Sequence, residues 1–100
     1  MIFHPCIQNQ LKRMDEDSRI SPVHISLFIS ILRIWEENSF NNPISFFRTQ
    51  LMSRSKISGI ATYYRVINEL DEYGYIRYKA SYNRFTGSLI YIHIKQLSIV

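Results

Sequence analysis

Residues 53–76 read SRSKISGIATYYRVINELDEYGYI, and this stretch decides the fold. The hydroxyl of Ser58 can accept a hydrogen bond from a backbone N–H one turn further on, so Ser58 predicts a helix start. Gly74 predicts its end, because glycine enters a left-handed conformation at little cost. The expected helix, residues 58–73, is about four turns long. At about 100° per residue, Ile60, Tyr63, Ile67 and Leu70 share one face, with Val66 and Tyr64 at its edges. Ala61, Thr62, Arg65, Asn68, Glu69 and Glu72 share the opposite one. The first face is expected to pack and the second to remain free. Gly59 falls in the first turn, where it has two readings: ordinary variability at a helix start, or a missing side chain that lets the backbone approach a phosphate.

Beyond Gly74 the hydrophobic period changes from 3.6 to 2. Ile76, Tyr78 and Ala80 alternate with Arg77, Lys79 and Ser81, the pattern of a half-buried strand. Asn83, Arg84, Phe85, Thr86 and Gly87 carry turn chemistry. Ile90, Ile92 and Ile94 then alternate with Leu89, Tyr91, His93 and Lys95, which predicts a hairpin over 75–95 with a basic tip at Arg84.

Upstream, a short helix is expected from Phe47 to Ser53, with Phe47, Leu51 and Met52 turned inward, followed by a link through Ile57. Phe40-Asn41-Asn42-Pro43 is turn chemistry, and Ile44-Ser45-Phe46 reads as a short edge strand. Ser21-Pro22 is a strong helix start, with serine at the cap and proline where its missing N–H costs nothing. That helix should run to about Asn38. Its apolar residues, from Val23 to Trp35, wrap much of the circumference, so it is either central to the core or shared with a partner. Ile7, Leu11 and Met14 form a narrow stripe on a short N-terminal helix that Pro5 can start. Asp15, Glu16 and Asp17 would sit badly at the negative end of its dipole and should end it. The expected organisation is a helical arm over 1–19 and one domain over 20–97, α+β in class and mainly α.

One hundred residues, 46% hydrophobic and 14% aromatic, suit one small globular unit. The formal charge of +4 favours anionic partners, and its distribution is uneven. Residues 1–38 hold four basic side chains against five acidic ones, whereas residues 39–100 hold eight against three. The positive charge therefore belongs to the half containing the opening stretch. Cys6 is the one cysteine, so an intramolecular disulfide is excluded and a reducing compartment fits. The sequence shows neither a leader pattern nor an apolar run of about 18 residues, and the expected location is cytoplasmic, on the nucleoid.

At Leu70-Asp-Glu-Tyr-Gly74-Tyr-Ile76 the chain resembles the winged helix-turn-helix superfamily of bacterial regulators, whose recognition helix ends in Leu-x-x-x-Gly-x-Ile/Val. Ile67 and Tyr63 take the family's buried positions and Thr62 its frequent recognition-helix threonine. Trp35 at the end of the first helix, the Ser55-Lys56-Ile57 segment, the Thr62-Tyr63 pair and the Asn83-x-Phe85-x-Gly87-Ser88 wing are similar to small winged-helix proteins of bacterial genomes and mobile elements. The resemblance covers about residues 20–95; the first eighteen residues lie outside it. It implies a three-helix core with a short strand and a C-terminal wing, binding double-stranded DNA as a transcriptional regulator. The helix at 58–73 would enter the major groove, with Arg65 as the leading base reader and Thr62 and Asn68 beside it. Arg54, Lys56 and Ser58 would hold phosphates, Arg77 and Lys79 would lie along the backbone, and Arg84 would reach a minor groove or phosphate. A homodimer through the first domain helix and the arm is expected.

The sequence carries little that supports catalysis. His4, His24 and His93 are far apart, His4-x-Cys6 offers only two metal ligands, and no phosphate-binding or nucleophile motif occurs. No cofactor, metal or small-molecule substrate is expected, and His24 reads as a hydrogen-bonded core or boundary residue. Arg65 also has a plainer reading, a solvated side chain paired with Glu69 at i+4. Two other functions share this scaffold: a protein-interaction or assembly module, and a replication or mobile-element accessory that binds DNA.

Overall fold

The computed structural model describes residues 5–81 and 87–92. Four helices and three strands follow one another along them: α1 (Pro5–Glu16), α2 (Pro22–Glu37), β1 (Ile44–Phe46), α3 (Arg48–Ser55), α4 (Ile60–Glu72), β2 (Ile76–Lys79) and β3 (Ser88–Ile92). The protein is a small, mainly helical α+β unit with one antiparallel sheet in the order β1-β3-β2. The expected α+β class and the edge position of 44–46 agree with this.

Helix α2 is the centre of the molecule. Ser21 caps it in an extended conformation and Pro22 opens it, as their order in the sequence requires. Leu27, Phe28, Ile31, Leu32 and Trp35 are buried, and Val23, Ile29 and Ile34 are partly buried against the same cluster. The apolar circumference is thus largely used inside one chain. Ile7 and Met14 of α1 join that cluster, and Leu11 packs on it, so the arm lies on the body. α3, α4 and the sheet supply Leu51, Tyr63, Val66, Ile67, Leu70, Ile76, Ile90 and Ile92.

The sheet follows its period-two pattern. Ile90 of β3 pairs with Ile44 on one side and Tyr78 on the other, and Ile92 pairs with Ile76. Asn42 extends the β1 edge with its side chain: the Ile92 N–H donates to Oδ1 at 3.0 Å and Nδ2 donates to the Ile92 carbonyl at 3.0 Å. Gly87, at φ +71°, brings its backbone so near β1 that an added Cβ would lie 2.5 Å from the Phe46 carbonyl oxygen. Only glycine satisfies both that angle and that approach.

Helix α4 ends in a complete left-handed glycine cap. Gly74 has φ +88°, its N–H donates to the Asp71 carbonyl at 3.0 Å, and the Tyr75 N–H donates to the Leu70 carbonyl at 2.9 Å. The helix start differs from the expectation: Gly59, and not Ser58, occupies the cap, with φ −91° and ψ 126°, and the helix begins at Ile60. Glycine serves an N-cap nearly as well as serine, and the Gly59 carbonyl accepts the Tyr63 N–H at 3.0 Å. The expected inward turn of Phe47 is also corrected. It sits at the cap of α3, 46% exposed, with its N–H donating to Gln50 Oε1 at 2.9 Å.

The acidic run after α1 is more useful than its charge pattern suggests. Helix α1 stops at Glu16, among the acids, and Asp17 becomes a junction. Its carboxylate accepts Arg19 Nε at 2.9 Å, Arg19 Nη2 at 2.8 Å and the Tyr75 hydroxyl at 2.9 Å. The Arg19 guanidinium lies 4.1 Å from the Tyr73 ring centre, and that of Arg13 lies 4.8 Å from the Tyr75 ring centre. The α1–α2 link is thereby fixed to the end of α4.

The hydrogen bonds from Arg19, reinforced by Tyr75, hold the Asp17 carboxyl well below the usual carboxylate range. A depressed folded-state pKa contributes stability that is present above the ordinary value of about 3.9 and is lost as pH falls towards the folded value. Asp17→Asn should therefore lower the urea midpoint near neutral pH and flatten its decline below about pH 4. Parallel wild-type and variant profiles down to about pH 2 would remove Asp17 from the acid response.

Candidate nucleic-acid interface

The turn between α3 and α4 is set by one backbone angle. Lys56 follows α3 at φ 63°, in the left-handed region that normally favours glycine, and the Ile57 N–H returns to the Met52 carbonyl at 3.1 Å. The Ile57 side chain is buried, anchoring the turn. One serine of α2 ties it to the core: Ser26 Oγ donates to the Ser55 carbonyl at 2.6 Å, while Ser55 Oγ donates back within α3 to the Leu51 carbonyl at 2.6 Å. The result is an open cleft where the start of α2 meets the α3–α4 turn. Lys56, Ser58 and Thr62 share its lining with Val23, Ser26 and Ser55. Three of the expected site residues are therefore brought together.

The rotation of α4 is fixed by apolar burial and by one polar link. Tyr63, Val66, Ile67 and Leu70 are buried against the core. Glu69 Oε1 lies 2.8 Å from His24 Nε2, and the His24 side chain is only 4% exposed. His24 Nδ1 lies 3.0 Å from the backbone nitrogen of Ser21, which can only donate. Nδ1 must therefore accept, so Nε2 carries the proton and donates to Glu69. His24 thus caps α2 with one nitrogen and orients α4 with the other, in keeping with its reading as a hydrogen-bonded core residue.

With that rotation, Ile60, Ala61, Tyr64, Arg65 and Asn68 face outward. The expected faces are turned by part of a step. Ile60 is 49% exposed and Tyr64 41%, whereas Glu69 and Thr62 lie half-buried towards α2. A helical projection gives direction but no depth, and the first turn of α4 projects beyond the core that covers Tyr63. Ile60 and Tyr64 are the residues a sequence reading misses for this face. The available signal was that Tyr63, Val66, Ile67 and Leu70 alone fill the buried arc.

Arg65 pairs with Glu69 Oε1 at 3.0 Å, the plainer reading of that side chain, while its guanidinium stays exposed. Asn68 Nδ2 donates to the Tyr64 carbonyl at 2.8 Å, leaving its oxygen free to accept. Arg54 makes a two-pronged pair with Glu37, Nη1–Oε2 2.6 Å and Nη2–Oε1 2.9 Å, and so reaches towards the far end of α2, away from the cleft. That guanidinium draws the Glu37 carboxyl below its ordinary pKa, and the carboxylate raises Arg54 in return. Arg77 and Lys79 are exposed on β2, opposite Tyr91 and Leu89 of β3. Arg84, with Tyr82 and Phe85, lies outside the described residues, as do His4, His93 and Lys95.

Among the described residues no three His, Cys, Asp or Glu side chains gather as a metal-binding group, and no helix is long and apolar enough to cross a membrane. Comparison of the chain with known protein families, characterised proteins and solved structures found no match.

Glu69→Ala would leave the buried His24 N–H without an acceptor. Removing one partner of a buried hydrogen bond costs about 1–3 kcal/mol, and that loss should appear in chemical denaturation. Glu69→Gln, which keeps an acceptor oxygen, should recover much of it. Equal stability of Glu69→Ala and wild type would show that the link does not hold α4.

Proposed function

We propose that the chain is a winged helix-turn-helix protein that binds double-stranded DNA sequence-specifically, as a small transcriptional regulator. In this reading α2, α3 and α4 form the helical core, α4 is the recognition helix in the major groove, and the β2–β3 hairpin is the wing. One observation carries it: Lys56 is held in a left-handed conformation at the entrance to a helix whose outward face no described residue covers. A non-glycine residue at such an angle costs of order 1–3 kcal/mol, and such cost concentrates where side chains have work to do.

The charge distribution supports the same reading, because the half of the chain with eight basic and three acidic residues is the half that contains α3, α4 and the hairpin. The first turn of α4 presents backbone N–H groups beside Lys56 and Ser58, a favourable setting for phosphate. Arg77 and Lys79 follow on the next strand, where they would run along a DNA backbone. The Arg65–Glu69 pair is an exposed i,i+4 contact worth about 0.3–0.5 kcal/mol, so Arg65 can leave it for a guanine edge at little cost. Arg54 would have to give up a two-pronged pair, which ranks it below Lys56 as a phosphate ligand. One copy carries this whole interface, and a homodimer would repeat it on a second half-site.

Lys56→Gly separates the charge from the fold. Glycine suits the left-handed angle, so stability should be unchanged or raised by up to about 1 kcal/mol, while DNA affinity falls. In anisotropy titrations with genomic duplexes, log K should fall with log salt, and the slope should be shallower by about one in the variant. Absence of salt-dependent binding at low ionic strength would overturn the reading; an unchanged slope would remove Lys56 from the interface.

A further inference from the structure

The outward face of α4 differs from a typical polar reading face. In its first two turns the outward positions are Ile60, Ala61, Tyr64 and Arg65, so three of the four present apolar or aromatic surface. Of the polar groups beside them, Arg65 is paired with Glu69 in an exposed contact and the Asn68 amide nitrogen with the Tyr64 carbonyl, so apolar surface dominates the face itself. On the basis of the DNA-binding reading above, we infer that this face selects A·T base pairs by covering the C5-methyl groups of thymine with Ile60, Ala61 and Tyr64.

The physical case is one of matching surfaces. Each base pair shows polar atoms in the major groove, and the thymine methyl is the one apolar group displayed there. An exposed isoleucine pressed onto a G·C edge would strip water from polar atoms and give nothing back. Against a thymine methyl, both surfaces leave water together.

Charge selects DNA over a second copy as the occupant. Lys56 flanks the face on one side, and Arg77 and Lys79 stand exposed on the strand that follows α4. A second copy would offer the face the same basic flank of Lys56, Arg77 and Lys79 that it already carries. The phosphates on either side of a major groove are complementary to it.

The test starts from the duplex that the intact chain selects from a random library. Each thymine is then replaced in turn by deoxyuridine, which removes the methyl and keeps the pairing edge. We expect an A·T-containing core, a loss of affinity of about fourfold at each covered methyl, and, in Ile60→Ser, little response at the methyl that Ile60 covers while the others respond as in wild type. Ile60 is half-exposed at the helix start, so this variant keeps the fold, which its denaturation midpoint verifies. Equal affinity for thymine and uracil duplexes at every position would overturn the inference, as would a core of G·C pairs alone. Binding without any base preference would overturn it too, together with the sequence-specific part of the proposed function, while leaving DNA binding itself in place. No DNA binding at all would remove both. If Ile60→Ser instead dissociated a dimer and bound all duplexes as wild type does, the face would belong to self-association.

Discussion

A buried histidine between two helices governs what this protein can show to its surroundings. His24 accepts the Ser21 N–H on one nitrogen and donates a hydrogen bond to Glu69 from the other. Both contacts are needed, because an imidazole that is 4% exposed cannot turn to water for a missing partner. Their geometry joins the cap of α2 to the third turn of α4. Together with Tyr63, Val66, Ile67 and Leu70 it sets the rotation of α4, and hence which side chains are left outside.

The remainder of the fold makes that rotation durable. α2 uses most of its circumference in one core, so the helix that carries His24 is held on several sides by α1, α3, α4 and the sheet. The far end of α4 is fixed by the glycine cap at Gly74 and by the junction of Asp17, Arg19, Tyr73 and Tyr75. Its near end is fixed by the buried Ile57 and by the hydrogen bond from Ser26 of α2 to the Ser55 carbonyl at the end of α3. A recognition element needs this kind of support, since a rigid helix presents its side chains at lower entropic cost than a mobile loop. The proposed role in DNA binding draws on that rigidity, on the basic half of the chain and on the strained Lys56.

The elements were legible where local chemistry speaks plainly. Ser21-Pro22 fixed the start of α2, Gly74 the end of α4, and strict alternation gave β2 and β3. Depth was harder to read. Ile60 and Phe47 look like core residues by composition, yet Ile60 opens α4 and Phe47 caps α3, and about half of each side chain stays exposed. Pairing was hardest of all. The Glu37 that claims Arg54, the Tyr75 that uses Asp17 and the Glu69 shared by His24 and Arg65 involve contacts across 17, 58 and 45 residues in three of the four cases. No periodicity encodes such distances. The left-handed Lys56 was equally hidden, because lysine gives no sign of an angle that glycine would announce.

The central claim is that the start of α4 and its preceding turn form the surface that meets DNA. It is tested most directly by following backbone amide signals of the intact chain by NMR while a duplex is added at low salt. The account predicts progressive shifts from Lys56 through Arg65 and at Arg77 and Lys79, with the buried face of α2 unchanged. Shifts confined to α1 and α2, or no shifts at all, would contradict it.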